Sequence, residues 1–508
     1  MDGGFFCVAG KVGAMLKPTR EEFMEAYSHD RVVALRRRIP ADLETPVSAF
    51  LKLQAMPDGQ RARFLLESVE RGIQVGRYSF IGMSPLSTMQ LDHDTLTITR
   101  EGRAASTNIA GRDPLAFVRD EIARIRVVGG DDIPGPFAGA VGYLSYEVAR
   151  HFERLPTPER NGLDLPDFYF MIPRTLVIFD HVRSEMEIVT LPAGADPETA
   201  YHAAQSTIES ILGALAMPVM QRNGHHPAAG RLAPSSNLTR DEVVARVQAA
   251  REHVLAGDAF QVVLSQRLSG RTGASPFQIY RALRILNPSP YMFFFDAGGF
   301  QLIGSSPEVL VKLHRRHATL SPSAGTRPRG RTAAEDQALQ DELLASEKER
   351  AEHIMLVDLG RNDLGRVCEI GSISTESLMH VEKYSHVMHI VSSVSGTLKP
   401  GLDGFDLVRA CFPAGTVTGA PKIRAMEIVA DLEGEVRGPY AGALGYFGHQ
   451  GDMDLCITIR TIAMLGDRYH VQAGAGIVAD SDPLGEYEET LNKARALVHA
   501  VAVAEEGL

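Results

Sequence analysis

Glu349 and Glu352, in "SEKERAEHIMLVDLGRND", sit where a helix should bury apolar side chains. At 3.6 residues per turn they share one stripe with Leu356 and Leu359, beside Met355, so two carboxylates continue a line that ought to face a core. Alone, such a pair reads as a solvated face or half of an intrahelical ion pair. A second pair recurs in "DSDPLGEYEETLNKARALV", where Glu486, Glu489 and Lys493 border Ala494, Leu497 and Val498. If the pairs converge, close carboxylates repel by a few kcal/mol at an effective dielectric of about 20, so they must protonate, accept cations or bind a metal. Glutamates with few His or Cys candidates nearby favour a hard cation. Mg²⁺ fits best, because it takes one or two carboxylates directly and keeps positions for water and a substrate oxygen anion. Just upstream, "QAGAGIVADSDP" places Gly474 and Gly476 where backbone amides can approach a small anion ahead of a positive helix end, although a GAG tripeptide alone is a weak signal.

The elements that must hold these groups are legible in part. Asp482 suits an N-cap and Pro483 the first helical position of the second acidic helix. A Pro, Gly, Ser and Asn-rich stretch at 218–237 predicts a linker between an N-terminal region, 1–217, that ends in a helix at 198–215, and a C-terminal region, 238–508. The latter opens on a capping box of Thr239 with Glu242, a stripe of Val243, Val244, Val247 and Val254, and a stop at Gly257. Short strand-like runs follow at 260–268, 293–296, 301–304, 309–313, 441–447 and 455–463, with others at 63–69, 87–99 and 139–145 around a helix-like 114–125. This alternation predicts α+β or α/β.

Composition narrows the classes. The 508 residues are 44% hydrophobic, enough for sizeable cores, and carry a net charge of −11, which argues against a phosphate-backbone binder. Four scattered cysteines, Cys7, Cys368, Cys411 and Cys456, fit neither a zinc ribbon nor a disulfide framework and predict reduced thiols in the cytoplasm. No run reaches the ~18 apolar residues of a membrane span, and no targeting signal is visible.

The sequence resembles the chorismate-utilising enzymes, and within them the large-subunit (component I) group of the anthranilate synthases. The resemblance is carried by "GDAFQVVLSQR" (257–267), "GSSPEVLVKL" (304–313), "SPSAGTRPRG" (321–330), "AEHIMLVDLGRNDLGRV" (351–367), "HVMHIVSSVSG" (386–396), "FPAGTVTGAPKIRAMEI" (412–428), "GPYAGALGY" (438–446), "LCITIRT" (455–461) and "GAGIVADSDPLGEYEETLNKARAL" (474–497). It is looser before the linker, through "LLESVE" (65–70) and "GRYSFIG" (76–82).

This resemblance implies a β-α-α-β sandwich with both halves fused into one globule and chorismate and Mg²⁺ in a cleft. Glu352 and Glu489 would be the direct Mg²⁺ ligands, with Glu349 and Glu486 supporting them through water. Arg460, Tyr440, Lys493 and the backbone of Gly474, Ala475, Gly476 and Ile477 would hold the enolpyruvyl carboxylate, with Ala324, Gly325 and Thr326 also in the substrate site. Glu308 would be the general acid for the departing C4 hydroxyl, His389 would serve the pyruvate-eliminating half, and Thr416 would contact substrate. His386 lies close in sequence, and without the motif either histidine reads as a packed structural residue. Gln261 stands where water-using relatives carry a lysine base, and a neutral amide cannot activate water. Ala324 stands where many aminodeoxychorismate synthases carry a nucleophilic lysine. The resemblance therefore implies ammonia as nucleophile and anthranilate as product.

Glu67 and Ser68, with Pro290, Tyr291 and Met292, match the two halves of a tryptophan feedback pocket in this family. No Gly-x-Cys-x-Gly elbow of an amidotransferase is present, so a separate glutamine amidotransferase subunit is expected to supply ammonia. Two other readings are aminodeoxychorismate synthase component I and a non-catalytic tryptophan-sensing subunit. The protein contains no Trp.

Overall fold

The structure, a computed structural model, describes residues 15–28, 31–68, 76–160, 162–194, 196–219, 233–383 and 387–508. Local signals place the helices where the sequence put them. Thr239 and Glu242 close a reciprocal capping box on the helix Arg240–Leu255, and Gly257, at φ +84°, turns the chain out of it. Val243, Val247 and Ala250 face inward, while Val244 and Val254 are only half-buried. The N-terminal region ends in the helix Pro197–Ala216, capped by Asp196, and the helix Pro114–Ala123 is capped by Asp113. Most of the 218–237 stretch lies outside the described residues.

Strand pairing joins the two halves. The strand Tyr291–Asp296 runs antiparallel to Ala62–Glu67, with Met292 opposite Glu67 and Phe295 opposite Phe64. The strand Ala443–Phe447 pairs with Ala140–Leu144 along its full length. Helices from both halves then share one core: Phe50, on Pro46–Gln54, stacks on Phe277, on Pro276–Leu286, at 4.3 Å between ring centres, and Phe294 meets both edge-on. The core also takes in Ala204 and Ile208 of Pro197–Ala216 and Leu497 and Val501 of Pro483–Glu506. Helices of both halves thus pack on one face of these strands, while Phe64, Tyr143, Phe293 and Phe295 on the other face meet in a second core made of strand and loop residues, in an α+β sandwich.

One strand differs from expectation. The apolar run 455–463 is two strands, Met453–Ile457 and Thr461–Leu465, separated by a turn in which Arg460 takes φ +50°. The Thr458 amide donates to the Gly442 carbonyl at 2.9 Å, and the Ser305 amide to the Arg460 carbonyl at 3.1 Å, so the turn is held from two sides. Hydrophobic alternation carries no sign of a positive φ at an arginine, and the turn lifts Arg460 out of the ladder into the cleft. No helix among the described residues is long and apolar enough to cross a membrane. Cys368, Cys411 and Cys456 are buried free thiols, and Cys7 lies outside the described residues.

Candidate active site

The first acidic helix, Glu347–Val367, begins at Ser346, whose hydroxyl caps the Glu349 amide. It buries His353, Leu356, Val357 and Leu364 and leaves Glu349 and Glu352 half-buried at the border of that face. His353 fixes its rotation by a 2.6 Å hydrogen bond to Ser392, on the strand Val387–Thr397 that also carries His389. The second acidic helix, Pro483–Glu506, is capped by Asp482 and packs along the strand Arg468–Ile477.

A chain of contacts connects the two helices. Gln261 Nε2 donates to Glu352 Oε1 at 2.9 Å, and the same amide sits 2.8 Å from where a Cβ on Gly476 would be. Lys493 donates to the Gly474 carbonyl at 3.0 Å and pairs with Glu489 at 2.6 Å. Glu349 accepts from Arg327 at 3.2 Å. Burial raises the Glu486 carboxyl, opposed by the Ser481 hydroxyl and reinforced by Glu489.

The four glutamates stand on two helices linked through Gln261, Gly476, Gly474 and Lys493, but do not close into a ligand cage. Among the described residues no group of three or more His, Cys, Asp or Glu is arranged to hold a metal. Arg327 and Lys493 each pair with one carboxylate, the cationic-partner solution to the same repulsion, and the neutral Gln261 amide holds a third. The donor chemistry still fits Mg²⁺: all four are hard carboxylates, and Glu352 has one oxygen without a hydrogen bond among the described residues.

Arg460 and Tyr440 approach the same helix and glycine strand. Arg460 Nη1 donates to the Lys493 carbonyl at 2.7 Å. Burial lowers its pKa, and Tyr440 and Glu489 oppose that. The Tyr440 hydroxyl lies 2.5 Å from a Cβ built on Gly474, so glycine is required for the approach. Ala475, Gly476 and Ile477 follow on the same strand, opposite Leu264, Val263 and Val262 of Gln261–Arg271.

Glu308 sits between the strands Gln301–Ser306 and Val309–His314. It lines a small cavity of about 50 Å³ with Thr416, Leu356, Leu359 and Ile457. Burial pushes its carboxyl up to about 7, opposed by the adjacent Thr416 hydroxyl and Lys493. The Thr416 hydroxyl is itself buried without a hydrogen bond of good geometry. His389 Nδ1 lies 3.0 Å from the Gly325 carbonyl and 3.0 Å from the Thr326 hydroxyl. A carbonyl only accepts, so Nδ1 carries the proton and the ring lone pair is on Nε2. Burial lowers the histidine's pKa, so the ring is neutral near pH 7. Gly325 takes φ +72° at a bulge between Ala324 and Thr326, which turns its carbonyl to the imidazole. His386 lies outside the described residues.

A larger cavity, about 660 Å³, lies where the two halves pair. Glu67, Ser68, Pro290, Tyr291 and Met292 all line it. Glu67 accepts from Arg284 at 3.0 and 3.2 Å and from the Tyr280 hydroxyl, so its charge is already matched. Asp454, which the sequence reading missed, also lines this cavity, held by Tyr291 at 2.9 Å and Lys312 at 3.2 Å. Residues 69–75, just beyond Ser68, are outside the described set.

A mixed sandwich whose acidic helices, arginine turn and glycine strand are joined by direct contacts fits a chorismate-binding enzyme, and the chorismate binding enzyme family matches residues 63–499. Anthranilate synthase component 1 of Streptomyces coelicolor is 46% identical over 94% of this chain and 91% of its own. That of Acetivibrio thermocellus is 41% identical over 97% of this chain and all of its own. The chain belongs to the anthranilate synthase component 1 group of the chorismate-binding enzymes. Its structure is similar to that of anthranilate synthase component I from Streptococcus pneumoniae TIGR4, with TM-score 0.73, 35% identity, and coverage of 90% of this chain and 98% of that one. A menaquinone-specific isochorismate synthase from Escherichia coli, 19% identical, shares the fold at TM-score 0.69 over 95% of this chain and 98% of its own.

Proposed function

We propose that this protein converts chorismate and ammonia to anthranilate and pyruvate, the first step of tryptophan biosynthesis. The observation that carries the reading is Glu308: a carboxyl in a small cavity, held to about 7 by burial and within electrostatic reach of Lys493, whose carbonyl accepts from Arg460. Arg460 and Lys493 receive the enolpyruvyl carboxylate, and the Tyr440 hydroxyl and the backbone at Gly474 and Gly476 complete its cradle. Glu308 donates its proton to the C4 hydroxyl as ammonia adds at C2, and the hydroxyl leaves as water. Thr416, beside that acid in the same small cavity, contacts the substrate. Gln261 is neutral and anchored to Glu352, so it does not activate water. His389, with its lone pair on Nε2, takes the ring proton as pyruvate departs. Glu352 and Glu489 would hold Mg²⁺, with Glu349 and Glu486 behind them, and the bound ion would neutralise the ring carboxylate.

Ammonia comes from glutamine through a separate amidotransferase subunit, and tryptophan binding in the 660 Å³ cavity inhibits turnover. The test is to supply chorismate, Mg²⁺ and ammonium at alkaline pH without a partner and to identify products by chromatography and mass spectrometry. Anthranilate supports the reading. Aminodeoxychorismate moves the protein to the folate branch, activity only with a partner overturns direct use of ammonium, and no turnover in either condition revives a non-catalytic sensing role.

A further inference from the structure

One layer beneath Tyr440 lies a charge cluster with no place in the chemistry above. Arg437 is 2% exposed and Glu433 and Glu147 5% each. Arg437 grips Glu433 with two donors, Nε at 2.8 Å and Nη2 at 2.7 Å, and caps the carbonyls of Val417 and Val263 at 2.8 and 2.7 Å. Glu433 in turn accepts from the amide and hydroxyl of Ser265, at 2.7 and 2.9 Å. Ser265 is the register partner of Gly474. The cluster is therefore tied to the strand edge on which the substrate carboxylate would rest.

The guanidinium also lies between two aromatic rings. Its carbon is 4.6 Å from the centre of Tyr146 and 5.7 Å from that of Tyr440. From the N-terminal half, Glu147 accepts the amides of Arg437 and Gly438 at 2.7 and 2.9 Å, and the Tyr146 amide donates to the Gly438 carbonyl at 2.9 Å. The segment leading into Tyr440 is thus held at backbone and side chain alike. Removing such an ion pair from water consumes most of its Coulombic gain, so a buried pair adds little stability that an apolar pair could not match. What it fixes is geometry: a planar cation with four of its five donors engaged holds one orientation beneath the Tyr440 ring.

We propose that Arg437, clamped by Glu433, is a positioning residue that acts through Tyr440, holding its hydroxyl over Gly474 to receive the substrate carboxylate. The inference rests on the cleft being the chorismate site.

The test is a double-mutant cycle on full-length protein, reading KM for chorismate and chorismate affinity by calorimetry with Mg²⁺ present. Arg437→Met with Glu433→Gln removes both charges at similar volume, so no uncompensated charge is buried. Action through Tyr440 predicts a rise in KM of ~10-fold with a smaller change in kcat, and less than ~2-fold further rise when the pair is replaced in a Tyr440→Phe background, because residues of one network are non-additive. Equal effects in both backgrounds, or an unchanged KM, overturn it. Should the paired replacement not fold, Tyr146→Leu removes the opposite ring and keeps both charges. It is expected to raise KM in the Tyr440 background and not in the Tyr440→Phe background, and a rise in both, or in neither, overturns the proposal. Wild-type protein that binds no chorismate defeats the functional reading first and this inference with it, whereas binding with an additive cycle defeats this inference alone.

Discussion

Glu308 is where stability and chemistry pull in opposite directions. Its carboxyl titrates at about 7 in the fold, above an unfolded value near 4.5, so the folded chain holds the proton more tightly. Stability is accordingly lost as pH rises from about 4.5 and the loss is complete above about 7. Glu308→Gln should raise the unfolding free energy at pH 8.5 by up to roughly 3 kcal/mol, from the size of that shift, and by nothing at pH 4. Denaturant melts at the two pH values check this, and a gain at pH 4 contradicts it. The same variant should lose about 10²- to 10⁴-fold in turnover, the usual worth of a general acid. Glu352→Gln or Glu489→Gln should raise the Mg²⁺ concentration for half-maximal rate by at least about 10-fold, since each removes a direct anionic donor. A titration curve that does not move would remove that residue from the metal site. The residues in these tests were legible because their types recur at helical spacing or in quoted motifs. Arg327, Arg437 and Asp454 were not, because a lone charge gives no hint of which carboxylate the fold will bring to it.

Elements decide whether those residues meet. Capping signals predicted the helices well: Thr239 with Glu242, and Asp482 with Pro483, are strictly local chemistry. The split of 455–463 was hidden, because its cause lies in long-range bonds from Gly442 and Ser305. The glycine strand makes its own prediction. A Cβ on Gly476 would meet the Gln261 amide at 2.8 Å, the mobile end of a side chain, so Gly476→Ala should displace Gln261 from Glu352 with little cost in stability. Turnover should fall at least about 10-fold while the melting temperature stays within a few degrees. A large drop in melting temperature would show that the strand itself cannot accommodate a methyl group.

At the scale of the whole molecule, the two halves share strand pairs and an aromatic core, which predicts that they unfold together. Phe294, 1% exposed, touches aromatic rings from helices of both regions, and Phe294→Ala should cost about 3–5 kcal/mol in a single unfolding transition. Two transitions would mean that the halves fold separately. The 660 Å³ cavity proposed to take tryptophan spans this joint, lined by Glu67 and Ser68 from one side and Pro290, Tyr291 and Met292 from the other. Tryptophan at 100 times its dissociation constant should therefore stabilise the fold by about 2.7 kcal/mol. Ser68→Leu, which crowds the cavity against Gly76, should abolish that gain while leaving uninhibited turnover intact. The sequence made the fused globule readable only by resemblance, since no composition or period shows that residues more than 200 positions apart will pair as strands.

One site is predicted both to aminate chorismate and to expel pyruvate. The most direct measurement is the ratio of pyruvate to anthranilate formed when enzyme in excess meets chorismate, Mg²⁺ and ammonium in a single turnover, with anthranilate followed by its fluorescence. A protein without Trp gives a low background for it. Equal amounts appearing together are the predicted result. An aminated product that accumulates while pyruvate stays absent would contradict the account.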